Sequence, residues 1–404
     1  MTSSRGLSKR LPRTRPIVSE PRRAAPPTAR SAAPDAACRS RWEFCRIARK
    51  QTGTSRGGRW CRVCNGFLRF HTNSEIILPP PKSRATAPPT IALFVATTVA
   101  AADRVEHDVH WEYLIPITTV HLLALLVLLP WCFSWSGLGL ALIGTTVFGT
   151  LGINLCYHRL LSHRSLAVPR WLERTLATFA LCSLEDTPAR WVANHRLHHC
   201  HSDKPADPHS PRDGLAWSHA GWLFRRAPQR RSLAFLDRYA RDVLADDYYR
   251  SLERHPTATV WIYLAHAAVF GLAGLLVGQV LSGDWAAAKQ LAVSWVVWGV
   301  LLRTVLVWHI TWSVNSLTHL FGYRSYATDE DSRNNWLVAV LAMGEGWHNN
   351  HHHDPASASV QHRWWEIDVT YYLILLLKQC GLATAVIPPR QSRQRPPQPA
   401  APPA

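Results

Sequence analysis

The stretch His195-Arg-Leu-His198-His199 sets three imidazoles at positions i, i+3 and i+4. On an α-helix those positions share one face. Neutral imidazole is a ligand for iron, zinc, copper or nickel. The same spacing returns in His348-Asn-Asn-His351-His352, and two related elements complete the set: His158-Arg-Leu-Leu-Ser-His163 and Asn315-Ser-Leu-Thr-His319. His158 and His163 are five apart, about 140° around an α-helix. The spacing therefore predicts a bend or a change of helix between them, with His158 closing one helix and His163 opening the next. Nine imidazoles exceed what one tetrahedral zinc accepts and suit two metals. Their near lack of carboxylates departs from bundles built on Glu-x-x-His pairs. Of the other histidines, His201, His209 and His353 border the clusters and read as surface or supporting residues. His309 reads as a satisfied helix histidine.

Four apolar stretches surround these elements: Tyr113–Phe133, Leu138–Tyr157, Thr257–Leu281 and Trp285–Ile310. Each is long enough for the ~20 residues of helix that cross a bilayer. Ile91–Ala102 is too short to span, and Val369–Leu377 reads as a helix on a cap. The connections between spans one and two and between three and four are nearly free of Lys and Arg. The segment from His158 to Pro256 holds 16 of them. The positive-inside rule then makes that segment and both termini cytoplasmic, with all four histidine elements on that side. The expected class is all-α: an integral membrane protein with four transmembrane helices and a cytoplasmic helical cap carrying the metal site. A bacterial inner membrane or the endoplasmic reticulum would suit it.

The formal charge of +18 over 404 residues invites a nucleic-acid reading, which its distribution removes. Residues 1–88 hold 19 Lys+Arg against 4 Asp+Glu, leaving only +3 for the remainder. That segment is rich in Arg, Pro, Ala and Ser and lacks an apolar period, so it cannot offset the entropy of ordering. We read 1–88 as a basic disordered extension, 89–387 as the membrane domain and 388–404 as a Pro-rich tail.

Longer stretches make the resemblance specific. They are Tyr157-His-Arg-Leu-Leu-Ser-His-Arg-Ser165, Trp191-Val-Ala-Asn-His-Arg-Leu-His-His199, Asp207-Pro-His-Ser-Pro-Arg-Asp-Gly214 and Gly344-Glu-Gly-Trp-His-Asn-Asn-His-His352. Together with Asn315-Ser-Leu-Thr-His319 and Trp364-Trp-Glu-Ile-Asp368, the chain from Trp111 to Leu382 resembles the membrane fatty acyl-CoA desaturases of the stearoyl-CoA Δ9 type. The resemblance implies two irons held by His158, His163, His195, His198, His199, His319, His348, His351 and His352, with Asn315 approaching one of them through water. It places Trp312 near the acyl thioester and matches Arg303 to a family arginine on the fourth span; a snorkelling side chain is the alternative for Arg303. Three departures stand out. Glu185-Asp186 replaces the family's Gln-Gly pair, Cys156 replaces a Gly, and Ser359 replaces an Arg. Either the two carboxylates face the acyl tunnel, with Arg190 one turn from Glu185 as its partner, or Asp186 caps the helix that begins at Thr187-Pro188.

Removing hydrogen from an unactivated alkyl chain needs an oxidant that side chains do not supply and a metal with O2 does. The resemblance thus implies O2-dependent desaturation of a fatty acyl chain, on CoA or on a lipid, to a cis alkene, Δ9 by analogy with the type. With neither a His-Pro-Gly-Gly haem signature nor a Gly-x-Gly-x-x-Gly fingerprint in the sequence, electrons would come from an external cytochrome b5 or a ferredoxin with its reductase. The rival within the class is a hydroxylase or other lipid oxygenase. A metal transporter would put its ionisable groups at mid-membrane depth instead.

Overall fold

A computed structural model describes residues 108–393. The basic extension, Ile91–Ala102 and the last eleven residues lie outside the described residues. Among the described residues there are helices and isolated bridges but no strand. Four helices are long and apolar enough to cross a membrane: Trp111–Leu128, Trp135–Ser162, Ala258–Ser282 and Trp285–Leu320. We label them α1, α2, α8 and α9. Between α2 and α8 lie α3 (Arg170–Leu181), α4 (Pro188–His201), α5 (Leu215–His219), α6 (Leu233–Leu244) and α7 (Asp247–Arg254). After α9 come α10 (Trp336–Leu341), α11 (His348–His353) and α12 (Val369–Gln379). The last is the expected cap helix.

The outer spans differ from the sequence reading at their ends. The first was expected to run to Phe133, but Pro130 supplies no N–H and Leu129 is extended, so α1 gives way to short 3₁₀ turns. The fourth was expected to stop at Ile310 and continues to Leu320. At 1.5 Å per residue, its 36 residues reach about 54 Å, well beyond a ~30 Å hydrocarbon core. The surplus carries Asn315 and His319 on the same continuous helix.

From Thr145 to Ser162, α2 is wound as a π-helix, with bonds from i to i+5. The last of these joins the His163 N–H to the His158 carbonyl at 3.1 Å. Of the bend and the change of helix that the spacing allowed, that wide turn supplies the first, and His163 opens no second helix. Their ring centres lie 4.8 Å apart with no second helix needed. π-turns inside longer helices often mark functional sites.

Two apolar cores hold the bundle. One joins α2, α3, α4, α6 and α7 through Leu155, Leu161, Leu181, Val192, Leu236 and Leu252. The other joins α1, α8 and α9 through Ile117, Val120, Tyr263, Val300 and Trp308. The α2–α3 packing is close at Gly152, where a Cβ would come within 2.6 Å of the Ala180 nitrogen.

A buried ionic network locks the cap. Arg159 of α2 donates to Glu345 Oε1 at 2.8 and 3.0 Å, to both Asp368 oxygens at 2.8 and 2.9 Å, and to the Ala358 carbonyl at 2.7 Å. Asp368 in turn caps α12 by accepting from the Tyr371 N–H. Burial alone would raise the Glu345 carboxyl; Arg159, and then His158, hold it at about 2. Removing one partner of such a network strands buried charge at a cost of about 3–5 kcal/mol. Arg159→Met is therefore expected to lower the thermal midpoint of the detergent-solubilised protein by several degrees and to release bound metal. A midpoint unchanged from the parent protein would contradict this account of the cap.

Candidate metal centre

The nine histidines predicted from spacing come together from four places in the chain. His158 and His163 stand at the end of α2. His195, His198 and His199 share one face of α4, His319 ends α9, and His348, His351 and His352 lie on α11. They form two adjacent groups. His158, His163, His195, His199 and His351 are one; His198, His319, His348 and His352 are the other. Within each group the ligand atoms lie inside 4.8 Å of one another.

The short approaches are between Nε2 atoms. In the first group they are His158–His351 at 3.1 Å, His163–His195 at 2.8 Å and His199–His351 at 2.9 Å. In the second they are His348–His352 at 3.0 Å and His198–His352 at 3.3 Å. Two nitrogens bound at right angles to one metal at about 2.1 Å would sit about 3 Å apart. His319 Nε2 is buried and has no hydrogen-bond partner. These are the spacings and the orphaned lone pair that a metal ion would satisfy.

The far sides of the rings carry acids. Nδ1 of His158 lies 2.9 Å from Glu345, Nδ1 of His198 2.9 Å from Asp207, and Nδ1 of His319 2.9 Å from Asp203. Glu330 stands 3.7 Å from His352 Nδ1. A carboxylate behind Nδ1 fixes the tautomer and leaves Nε2 free to bind metal. Burial, and then the neighbouring imidazoles, hold His195, His199, His348, His351 and His352 well below the usual range. They are neutral at pH 7, the form that ligates.

A cavity of about 650 Å³, measured with its open mouth, adjoins the first group. Its wall includes His195 and Trp191 of α4, Thr311, Trp312 and Asn315 of α9, and Tyr113 of α1. Trp191 stacks on His195 with ring centres 5.0 Å apart. An aromatic, mostly apolar wall beside a metal-ready cluster suits a hydrocarbon substrate.

The fatty acid desaturase family model matches residues 131–373. The sn-1 stearoyl-lipid 9-desaturase of Anabaena variabilis is 41% identical over 279 residues, covering 69% of this chain and 94% of that protein. The chain belongs to the fatty acid desaturase family. The sn-2 palmitoyl-lipid 9-desaturase of Nostoc sp. (strain 36) is 41% identical over 281 residues, 69% of this chain and 91% of the relative. The acyl-CoA 5-desaturase of Anemone leveillei is 39% identical over 285 residues, 70% and 81% respectively.

Within this desaturase fold the other singled-out residues separate. Asn315 and Trp312 line the cavity; Arg303 is not among its lining residues. Arg303 does not snorkel either. It is fully buried, donates to the Cys182 carbonyl at 3.0 Å and the Ser183 hydroxyl at 3.3 Å, and lies 4.2 Å over the Phe148 ring. Glu185 and Asp186 both line the cavity. The expected pairing of Glu185 with Arg190 is not formed, because Arg190 turns to Glu253 and Asp186. The expected Asp186 cap is also replaced: Thr187 caps α4 by accepting from the Arg190 N–H. His209 is buried, with its ring 4.3 Å from that of His198. His309 bonds His121 and His219.

Sequence reasoning passed over Arg159, Glu345, Asp203, Asp207, Glu330 and Arg196. Glu345 and Asp207 sit inside the stretches that carry the resemblance, which was the available signal. Arg196 lies between two ligand candidates and donates to the Ser162 and Leu161 carbonyls at 2.9 and 2.8 Å. It closes the open C-terminal end of α2.

The depressed imidazole pKa values give a sign to the pH dependence. The fold resists protonating five histidines, so the unfolded chain binds more protons below its ordinary histidine pKa of about 6.5. Their contribution is complete above that value and is lost as pH falls. His198 is raised by Asp207 against the effect of its burial, and it opposes the other five. The metal-free protein is expected to melt earlier at pH 5.5 than at pH 7.5 in detergent. A flat or inverted profile would count against the neutral cluster.

Proposed function

We propose that this protein is an O2-dependent acyl desaturase that introduces a Δ9 cis double bond into a C16 or C18 chain. The observation that carries the reading is the pairing of two metal-ready histidine groups with an aromatic-walled cavity beside one of them. In this reading the first group holds one iron and the second holds another, with Asn315 approaching one of them through water. When bound, the pair would supply the oxidising power for C–H removal that side chains lack. The cavity residues choose the carbon. Trp191, Trp308 and Trp312 confine the chain, and proximity decides between chemically equal methylenes.

Δ9 selectivity is supported by the stearoyl-lipid and palmitoyl-lipid 9-desaturases among the relatives. Both lipid and CoA carriers occur among those relatives, so the assay supplies the acyl chain on each. In this reading the histidine face and both termini are cytoplasmic, which the basic α2–α8 segment supports. An external cytochrome b5 or ferredoxin with its reductase delivers the two electrons. Residues 1–88 stand outside the catalytic domain.

Expression in a desaturase-deficient host, with fatty-acid profiling, tests the reading. A C16:1 or C18:1 cis-Δ9 acid is expected, and an alcohol in its place would overturn it. Purified from iron-replete cells, the protein is expected to hold two irons per chain. His199→Ala should remove metal from the first group and His348→Ala from the second, each leaving about one per chain by elemental analysis. One metal per chain under every loading condition would refute the two-site assignment.

A further inference from the structure

The carboxyl groups around the centre have basic or backbone partners, with one exception. Glu345 faces Arg159 and His158, Asp203 faces His319, Asp207 faces His198, and Glu330 lies by His352. Asp186 accepts from Tyr113 and the Thr187 N–H and lies 3.9 Å from Arg190. Among the described residues Glu185 forms no ion pair. Its Oε1 accepts from the Thr311 hydroxyl at 2.8 Å and its Oε2 from the Trp191 indole N–H at 3.2 Å. Both donors are neutral, and the same carboxyl lines the cavity with His195 and Asn315.

An ionised carboxylate in that wall would be a half-buried charge held by two neutral bonds. A protonated one can rest its hydrogen on the Thr311 hydroxyl oxygen or turn it into the cavity that the carboxyl lines. We propose that Glu185 carries a proton at neutral pH and delivers it into the cavity during oxygen reduction. The proposal rests on the desaturase reading above. The reaction balances as R–CH2–CH2–R′ + O2 + 2 e⁻ + 2 H⁺ giving R–CH=CH–R′ + 2 H2O. Two C–H bonds and the O–O bond break; one π bond and four O–H bonds form. The external donor supplies two electrons and the substrate two. Two of the four water hydrogens come from the acyl chain and two from the protein side. Glu185 supplies one: its O–H bond breaks, the proton ends in product water, and water at the cavity mouth restores it.

The direction of its acidity agrees. Burial lifts the Glu185 carboxyl to about 8, against the bonds from Thr311 and Trp191. The titratable groups that share its surroundings are Asp186, Tyr113, His195 and His209 on the cavity wall, with Arg190 beyond them held by Glu253. Glu185→Gln keeps the shape and removes the proton.

Infrared difference spectroscopy on the metal-free protein is the first test. A protonated carboxyl band is expected at pH 7, lost as pH rises through about 8 and absent from Glu185→Gln. In the iron-loaded enzyme, Glu185→Gln is expected to lower kcat on the order of 100-fold with KM for the acyl substrate unchanged. Peroxide released per alkene should rise, and the alkaline limb of the rate profile should vanish. Glu185→Asp should recover part of the rate. Wild-type turnover and coupling in Glu185→Gln, or no protonated band in the parent protein at pH 7, would overturn the proposal. Where Glu185→Gln binds less iron, the parent protein decides: band and alkaline limb together support the proposal, and the absence of either overturns it. A parent enzyme that forms no alkene refutes the desaturase reading instead, while the band still reports whether Glu185 holds the proton.

Discussion

One buried ion-pair system joins the distant parts of this fold. Arg159 follows His158 in the chain, and its guanidinium is shared between Glu345 and Asp368. Glu345 uses its second oxygen on His158 Nδ1. A single carboxylate thus fixes a ligand candidate from α2 and belongs to the turn that starts α11. That turn needs its glycine. Gly344 has φ +117°, and a Cβ there would lie 2.6 Å from Asp368 Oδ1. Buried pairs of this kind give little net stability compared with apolar packing, but breaking one is costly. Their use here is geometric: they set the distance between two histidine-bearing segments that are 186 positions apart in sequence.

The same constraint explains the long helices. A bilayer asks for about 20 residues, and α9 has 36. A flexible connection to His319 would have to be ordered at the moment of metal binding. A continuous helix makes no such demand, because its backbone bonds are already formed. The π winding of α2 serves a related purpose, since a regular α-helix would turn His163 away from His158. Arg196 then takes the carbonyls exposed where that winding ends.

Much of this was legible in the sequence, and the limits are physical. The i, i+3, i+4 spacing reported the α4 and α11 faces because helical periodicity is local. The four spans were legible because bilayer thickness fixes their length. The division of nine histidines into five and four was not, since His198 and His199 are adjacent yet join different groups. That split depends on how α9 and α11 meet α4, and no local pattern encodes it. The acids behind the rings were missed for the same reason. Glu185 was noticed as a departure, but its partners Thr311 and Trp191 lie on two different helices. The ends of α1 and α9 were misjudged because hydropathy reports where lipid stops, whereas hydrogen bonding decides where a helix stops.

The acids also divide the two groups electrostatically. Behind the first stand Glu345 and, through Arg159, Asp368, so one guanidinium offsets much of the negative charge there. Behind the second stand Asp203, Asp207 and Glu330, and among the described residues none of the three forms an ion pair with Lys or Arg. Three buried carboxylates without a Lys or Arg partner are costly unless hydrogen bonds or a cation offset them. In the proposed reading a divalent metal supplies that charge through His198, His319 and His352. The second group therefore gains more from metal binding than the first, whose charge is already partly balanced. The first group is the one beside the cavity, so in that reading a metal near the substrate would sit in the less acidic surroundings, with the more acidic group as its anchor.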